Sequence, residues 1–345
     1  MIVDKIYCMS SFLMLRTISD HNHTFKDGII PCFFEENKDR TPVKNSIELE
    51  NILRQEINSA CINGKAALAL SGGIDSAILA KYMPRGSVAY TFKCVVPGLE
   101  VVDETLAAAR YAKECGLEHR VIEIYWDDMI TLAPELMKHK GAPIHSIEVQ
   151  ICKAAQQAKR DGFDTLIFGE SADVNFGGQD GLLSKDWTVP QYIERYSYVL
   201  PYKAIKNAKI ITEPFERWSH DGFIDAHEFN RHAYYLESMG SYQNATDVGG
   251  IKLSAPFTKT YMGIPMDYQR VRNGENKYLV REVFKRLYPD FEVPIKVPMP
   301  RPMNEWMKNW KGPIRKEFWP HCTDSMSGDQ KWLVWALEKY LDMIY

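Results

Sequence analysis

Ala66-Ala67-Leu68-Ala69-Leu70 runs directly into Ser71-Gly72-Gly73-Ile74-Asp75-Ser76, and this stretch decides the fold. A short apolar run closed by Ser-Gly-Gly reads as a buried strand, and Ala77 to Tyr82 beyond the loop reads as a helix. Two consecutive glycines allow backbone conformations closed to other residues, so several N–H groups can turn inward. The following helix adds its positive end. Strand, glycine loop and helix together make an anion cradle. Ser71 and Ser76 offer hydroxyls to it and Asp75 a carboxylate. A carboxylate in an anion nest calls for a cation, which assigns Asp75 to Mg²⁺.

Upstream, Ile47, Leu49, Ile52, Leu53, Ile57 and Ile62 keep helical spacing, and residues 1–45 read as an N-terminal extension packed on the main body. Downstream, strands are expected at Val88–Phe92, His119–Ile124 and Thr165–Phe168. Helices are expected at Glu104–Cys115, stopped by Gly116, and at Asp128–Lys140 and Glu148–Arg160. This alternation predicts an α/β fold, a parallel sheet with helices on both faces and ligands at the carboxyl ends of the strands. Beyond Gly181 the chain reads as mainly helical, over Trp187–Leu200, His227–Gly240, Asn276–Leu287 and Gln330–Tyr345. Residues 294–302 form a proline-dense, extended connector. The expected division is residues 1–60 as the extension, 61–185 as the α/β core and 186–345 as a mainly helical part completing the site.

A formal net charge of −3 and 45% hydrophobic residues are ordinary for a globular protein and argue against a nucleic-acid footprint. No apolar stretch approaches the roughly 18–20 residues of a membrane span, and the N-terminus lacks the order of a secretory signal. A cytoplasmic location is the expectation. The seven cysteines are scattered without a Cys-x-x-Cys pair, which indicates neither a disulfide framework nor a zinc site.

The loop lacks the lysine of a P-loop and resembles the SGGxDS signature of the ATP pyrophosphatases, or PP-loop enzymes, whose fold is adenine nucleotide alpha hydrolase-like. A second loop narrows the resemblance. Gly169-Glu170-Ser171-Ala172-Asp173-Val174-Asn175-Phe176-Gly177-Gly178 looks like the GEGxDExFGG segment of the asparagine synthetase and β-lactam synthetase branch, departing from it at Asn175, where the family usually has Glu. Ser254-Ala255-Pro256-Phe257 resembles the R-x-P-F element, with Ala255 and Thr258 in place of the usual Val and Asp. Gly274 to Arg281 resembles the G-x-x-K-x-x-L-R helix start.

The resemblance implies ATP bound by Ser71, Gly72, Gly73, Asp75 and Ser76, with Mg²⁺ held by Asp75 and Asp173. It places Glu170 at the substrate end as an acid/base or amine-orienting group. Lys277, rather than Arg281, is the phosphate-side cation, and Lys296 holds the pyrophosphate leaving group. The implied reaction adenylates a carboxylate and forms an amide with ammonia or an amine. A class-II glutaminase domain needs on the order of 200 residues, and only about 65 precede the first strand here. The nitrogen is therefore expected to come from free ammonia, a partner glutaminase or an amine. Intramolecular ring closure is a further option.

Gly141 to Glu148 is read as part of the acceptor pocket, with His145 and Glu148 contacting substrate or acting as base. The competing reading has Ser146 as a helix cap and the other two exposed. Tyr242 and the Ser238–Asn244 stretch are candidates for the opposite wall. Sulfur transfer through Cys94 or Cys115 is the chemical alternative, with Cys94 on the ligand side of the sheet. A nucleotide-binding subunit without activity is the third reading.

Overall fold

The computed structural model describes every residue except 37 and 295–298. Five strands form the central sheet: β1 (Ala66–Ala69), β2 (Val88–Cys94), β3 (Glu118–Ile124), β4 (Thr165–Ile167) and β5 (Lys252–Ser254). Their spatial order is β5-β4-β1-β2-β3, and every pairing is parallel. The helices that matter here are α1 (Lys5–Leu15), α2 (Ser46–Ala60), α3 (Ile74–Ala80), α4 (Thr105–Cys115), α5 (Trp126–Lys140) and α6 (Ser146–Arg160). They continue with α7 (Ala172–Phe176), α8 (Tyr235–Val248), α9 (Tyr278–Leu287) and α10 (Gly328–Ile344).

Alternation along the strands divides the interior into two cores, because successive side chains leave opposite faces of a sheet. Leu68, Ala89 and Ile167 point into one core with α2, α3 and α9. Ala67, Val88, Tyr90 and Leu166 point into the other with α1, α5, α6 and α10. The register agrees, since Leu68 stands beside both Ala89 and Ile167. Both faces are thus covered, as the uninterrupted apolar β1 requires.

The chain lays down β1, β2 and β3 in one direction and then crosses to place β4 on the other side of β1. The loops after β1 and β4 therefore diverge at a switch point, and a crevice opens between them at the carboxyl ends. The fold class expected from the sequence is the one observed, including the Gly116 stop, which is left-handed at φ 67°. Among the described residues no helix is long and apolar enough to cross a membrane.

Three of the expected helices differ from their expected extent. The expected helix over Trp187–Leu200 is confined to Val189–Tyr196, where Pro190 stands in the first turn and Thr188 closes a capping box. The His227–Gly240 helix is a short turn, a π-helical segment at Asn230–Tyr234 and then α8, which runs through Gly240 to Val248. Finally, α9 starts at Tyr278 because Lys277 is left-handed, with φ 50°.

Candidate active site

The loop after β1 is held largely by its own side chains. Ser76 Oγ accepts the Ser71 N–H at 3.0 Å and lies 2.9 Å from Ser71 Oγ, which in turn accepts the Gly73 N–H at 3.1 Å. The Gly72 N–H faces the carboxylate of Glu104, at the start of α4. The β4 loop presses directly on this one: a Cβ on Gly169 would stand 2.8 Å from the Ser76 nitrogen, so only glycine fits. Gly178 is constrained in the same way, its imaginary Cβ lying 2.1 Å from Asp173 Oδ1 and 2.7 Å from Lys277 Cδ.

Between the loops lies an ion cluster. Lys277 Nζ stands 2.7 Å from Asp75 Oδ2 and 2.9 Å from Asp173 Oδ1, with only 7% of its side chain exposed. Burial by itself pushes an ammonium pKa down. Here the fields of Asp173 and Asp75 override that, and the group is held above its ordinary value. The left-handed backbone at Lys277 costs of order 1–3 kcal/mol for a residue with a side chain, and the two ion pairs offset it. Asp75 and Asp173 thus converge on one positive centre. They are hard oxygen donors of the kind a magnesium ion accepts when nucleotide phosphates complete its shell.

Ser71, Gly72, Gly73, Asp75, Ser76, Glu170, Asp173 and Lys277 all line one cavity of about 220 Å³. Glu170 is half-buried in the cavity wall, where Ser238 Oγ donates to Oε1 at 2.9 Å. Burial raises the Glu170 pKa against the lowering pull of Ser238 and the Ser171 N–H, and Asp173 adds its charge. Tyr242 lines the same wall, packed edge-on against Phe168 at 5.1 Å. Arg281 reaches the cavity but its guanidinium is engaged by Asn276. Lys296 lies outside the described residues; Val293, Pro294, Met299 and Pro300 around it line the cavity.

Two expectations are corrected. His145 and Glu148 are neither exposed nor in the cavity: both are buried, Glu148 completely. Glu148 takes the Lys140 ammonium at 2.7 Å, the His145 N–H at 2.8 Å and Asn244 Nδ2 at 2.6 Å. Arg16 Nη1 meets the His145 ring, and its Nη2 donates to Glu237. This ionic network ties α1 to α5, α6 and α8, and a buried charge without such partners would be prohibitive. The cap of α6 is His145 rather than Ser146.

Asn175 has a local reason to depart from Glu. Its Oδ1 accepts from Arg40 and its Nδ2 donates to the Phe257 carbonyl at 3.1 Å. An amide serves both partners, whereas a carboxylate would turn a lone pair toward the carbonyl. Thr258 Oγ1, in place of the usual Asp, closes on the Ala255 carbonyl at 2.6 Å. Cys94 is buried beside the Pro300 carbonyl, and burial pushes its thiol up to about 12. Cys115 is buried against Tyr288. Glu104 and Asn276 were not singled out from the sequence, although an acid opening the helix after β2 is a readable signal.

A family model described as asparagine synthase matches residues 50–248. The chain belongs to the asparagine synthase family. The glutamine-hydrolyzing asparagine synthetase of Gallus gallus is 22% identical over 286 residues, covering 76% of this chain and 44% of that protein. This member thus spans less than half the length of that curated relative. Similar solved structures include the NH3-dependent NAD synthetase of Campylobacter jejuni, at TM-score 0.26 and 15% identity over 39% of this chain and 61% of that one. The NMN synthetase of Francisella tularensis gives TM-score 0.28 and 14% identity over 74% and 99%. The U34-tRNA thiolase of Methanococcus maripaludis gives 0.29 and 16% over 73% and 82%.

Proposed function

We propose that the protein is an ATP-dependent synthetase that adenylates a substrate carboxylate, releases pyrophosphate and forms an amide with ammonia or an amine. The observation that carries this reading is the convergence of Asp75 and Asp173 on one cation, beside the Ser71–Gly73 loop and in the same cavity as Glu170. Magnesium held by Asp75 and Asp173 would supply charge neutralisation to the pyrophosphate.

An oxygen of the acceptor carboxylate attacks the α-phosphorus, and the bond to the bridging oxygen breaks as pyrophosphate leaves. Lys277 pairs with the two aspartates and turns its ammonium to the phosphates of bound nucleotide, and Lys296 acts on the same leaving group. The nitrogen lone pair then attacks the acyl carbon, and AMP departs with its oxygen. The nitrogen loses a proton in this step. Glu170 takes it, and a pKa raised by desolvation makes it a stronger base than a carboxylate in open solvent. Free ammonia, ammonia from a separate glutaminase, or an amine fits this scheme, and the cytoplasm is its setting.

The test is pyrophosphate release with a panel of carboxylic acids and ammonium. Acid-dependent pyrophosphate and AMP, lost in Asp75→Asn, supports the reading. ATP binding without pyrophosphate from any acid in the panel favours a non-catalytic nucleotide-binding subunit instead.

A further inference from the structure

Of the N–H groups that open the phosphate loop, those of Ser71 and Gly73 are taken by the loop's own hydroxyls, and that of Gly72 is turned toward a carboxylate from another element. Glu104 is therefore the one charged acceptor among these internal partners. Its carboxylate sits against the loop rather than in solvent: an imaginary Cβ on Gly72 would lie 3.3 Å from Glu104 Oε1 and 3.0 Å from the Ala107 Cβ. Glu104 also lines the cavity. It caps nothing, since no side-chain hydrogen bond closes the start of α4. The mechanism above gives it no task.

We infer that Glu104 is a tethered competitor for phosphate, held against Gly72 where the triphosphate binds, so that it sets the affinity for ATP. This rests on the reading of the loop as a triphosphate site. A donor that has lost water must have an acceptor, and a carboxylate on a backbone N–H keeps the loop in its anion-binding form before the ligand arrives. The same negative charge then opposes the incoming phosphates.

Chemistry of the surroundings agrees. Burial, opposed by the Gly72 N–H and assisted by the charge of Asp103, raises the Glu104 pKa to about 7. The other charged groups facing this region are Lys93 of β2, which pairs with Asp103 at 3.3 Å, the Asp75–Asp173–Lys277 cluster across the cavity, Glu170 of the β4 loop, held by Ser238, and Arg281 of α9, engaged by Asn276. Incoming phosphate charge stabilises the protonated form, so ATP binding near neutral pH takes up a proton.

Calorimetric titration of the full chain with ATP and Mg²⁺, in two buffers of different ionisation enthalpy, tests this on the wild type and Glu104→Gln. The amide still accepts from Gly72 but carries no charge. The expected result is roughly fivefold to tenfold tighter ATP binding in Glu104→Gln, the gap between a charged and a neutral acceptor. Proton uptake near pH 7 is expected in the wild type and not in the variant. Equal or weaker binding by the variant, or uptake that survives the substitution, overturns the inference. Should the variant fail to fold, absence of proton uptake in the wild type overturns it alone. If the wild type does not bind ATP at all, the triphosphate reading of the loop fails first and is recognised by that result.

Discussion

Replacing Lys277 by Met keeps the side chain's bulk and removes the charge between Asp75 and Asp173. Lys277 is 7% exposed, so the value of a surface ion pair does not apply, while the aspartates at 20% and 27% exposure keep some access to water. Breaking a fully buried pair costs about 3–5 kcal/mol, and partial hydration of the carboxylates reduces this to about 2–4 kcal/mol. For a chain of this size the melting point falls by about 3–6 °C. Thermal denaturation in EDTA reads that loss. Magnesium titrated into Lys277→Met should then restore more stability than it gives the wild type, because the ion takes the vacated position between the carboxylates. A variant that melts with the wild type in EDTA, or that magnesium leaves unchanged, refutes the assignment of this pair to a metal.

Glu170→Gln should abolish amide formation yet raise the melting point at pH 8. The Glu170 pKa is raised above its ordinary 4.5 in the folded protein. The wild type therefore loses stability relative to the variant as pH rises through that raised value, and the two converge below 4.5. Gly178→Ala would drive a methyl group into Asp173; a loss of about 1–3 kcal/mol together with ATP binding is expected, read by chemical denaturation and calorimetry. Asn175→Leu leaves the Phe257 carbonyl and Arg40 without their partner, and the urea midpoint should report a loss of about 1–3 kcal/mol. Cys94→Ser should retain turnover, since the thiol is buried and held protonated at neutral pH; a dead Cys94→Ser enzyme of unchanged stability would favour sulfur transfer.

The α/β core was legible because its strands are short apolar runs punctuated by glycine, and its amphipathic helices carry clear stops. Helix α1 was not read as one. Tyr7 to Leu15 is buried on every side, so its sequence shows no polar face and no period. Strand β5 has three residues, too few for a pattern, and exists because β4 offers it a free edge. At the site, the first loop announced Asp75 through its paired glycines, and the resemblance carried by the second loop pointed to Asp173 and Glu170. Sequence spacing carried no sign that His145 and Glu148 belong to an ionic network with Arg16, whose partner Glu237 lies 221 positions away. Nor did it show that Lys277 bridges both aspartates, which depends on a left-handed residue at the start of α9.

The most direct test of the account follows the acceptor's oxygen. With a substrate acid labelled with heavy oxygen in its carboxylate, the adenylate mechanism transfers label from the acid to the phosphate of AMP. Mass spectrometry of the AMP should find a single labelled oxygen, and the amide should retain the other. Unlabelled AMP, or the formation of ADP with labelled inorganic phosphate, would contradict carboxylate activation at the α-phosphorus.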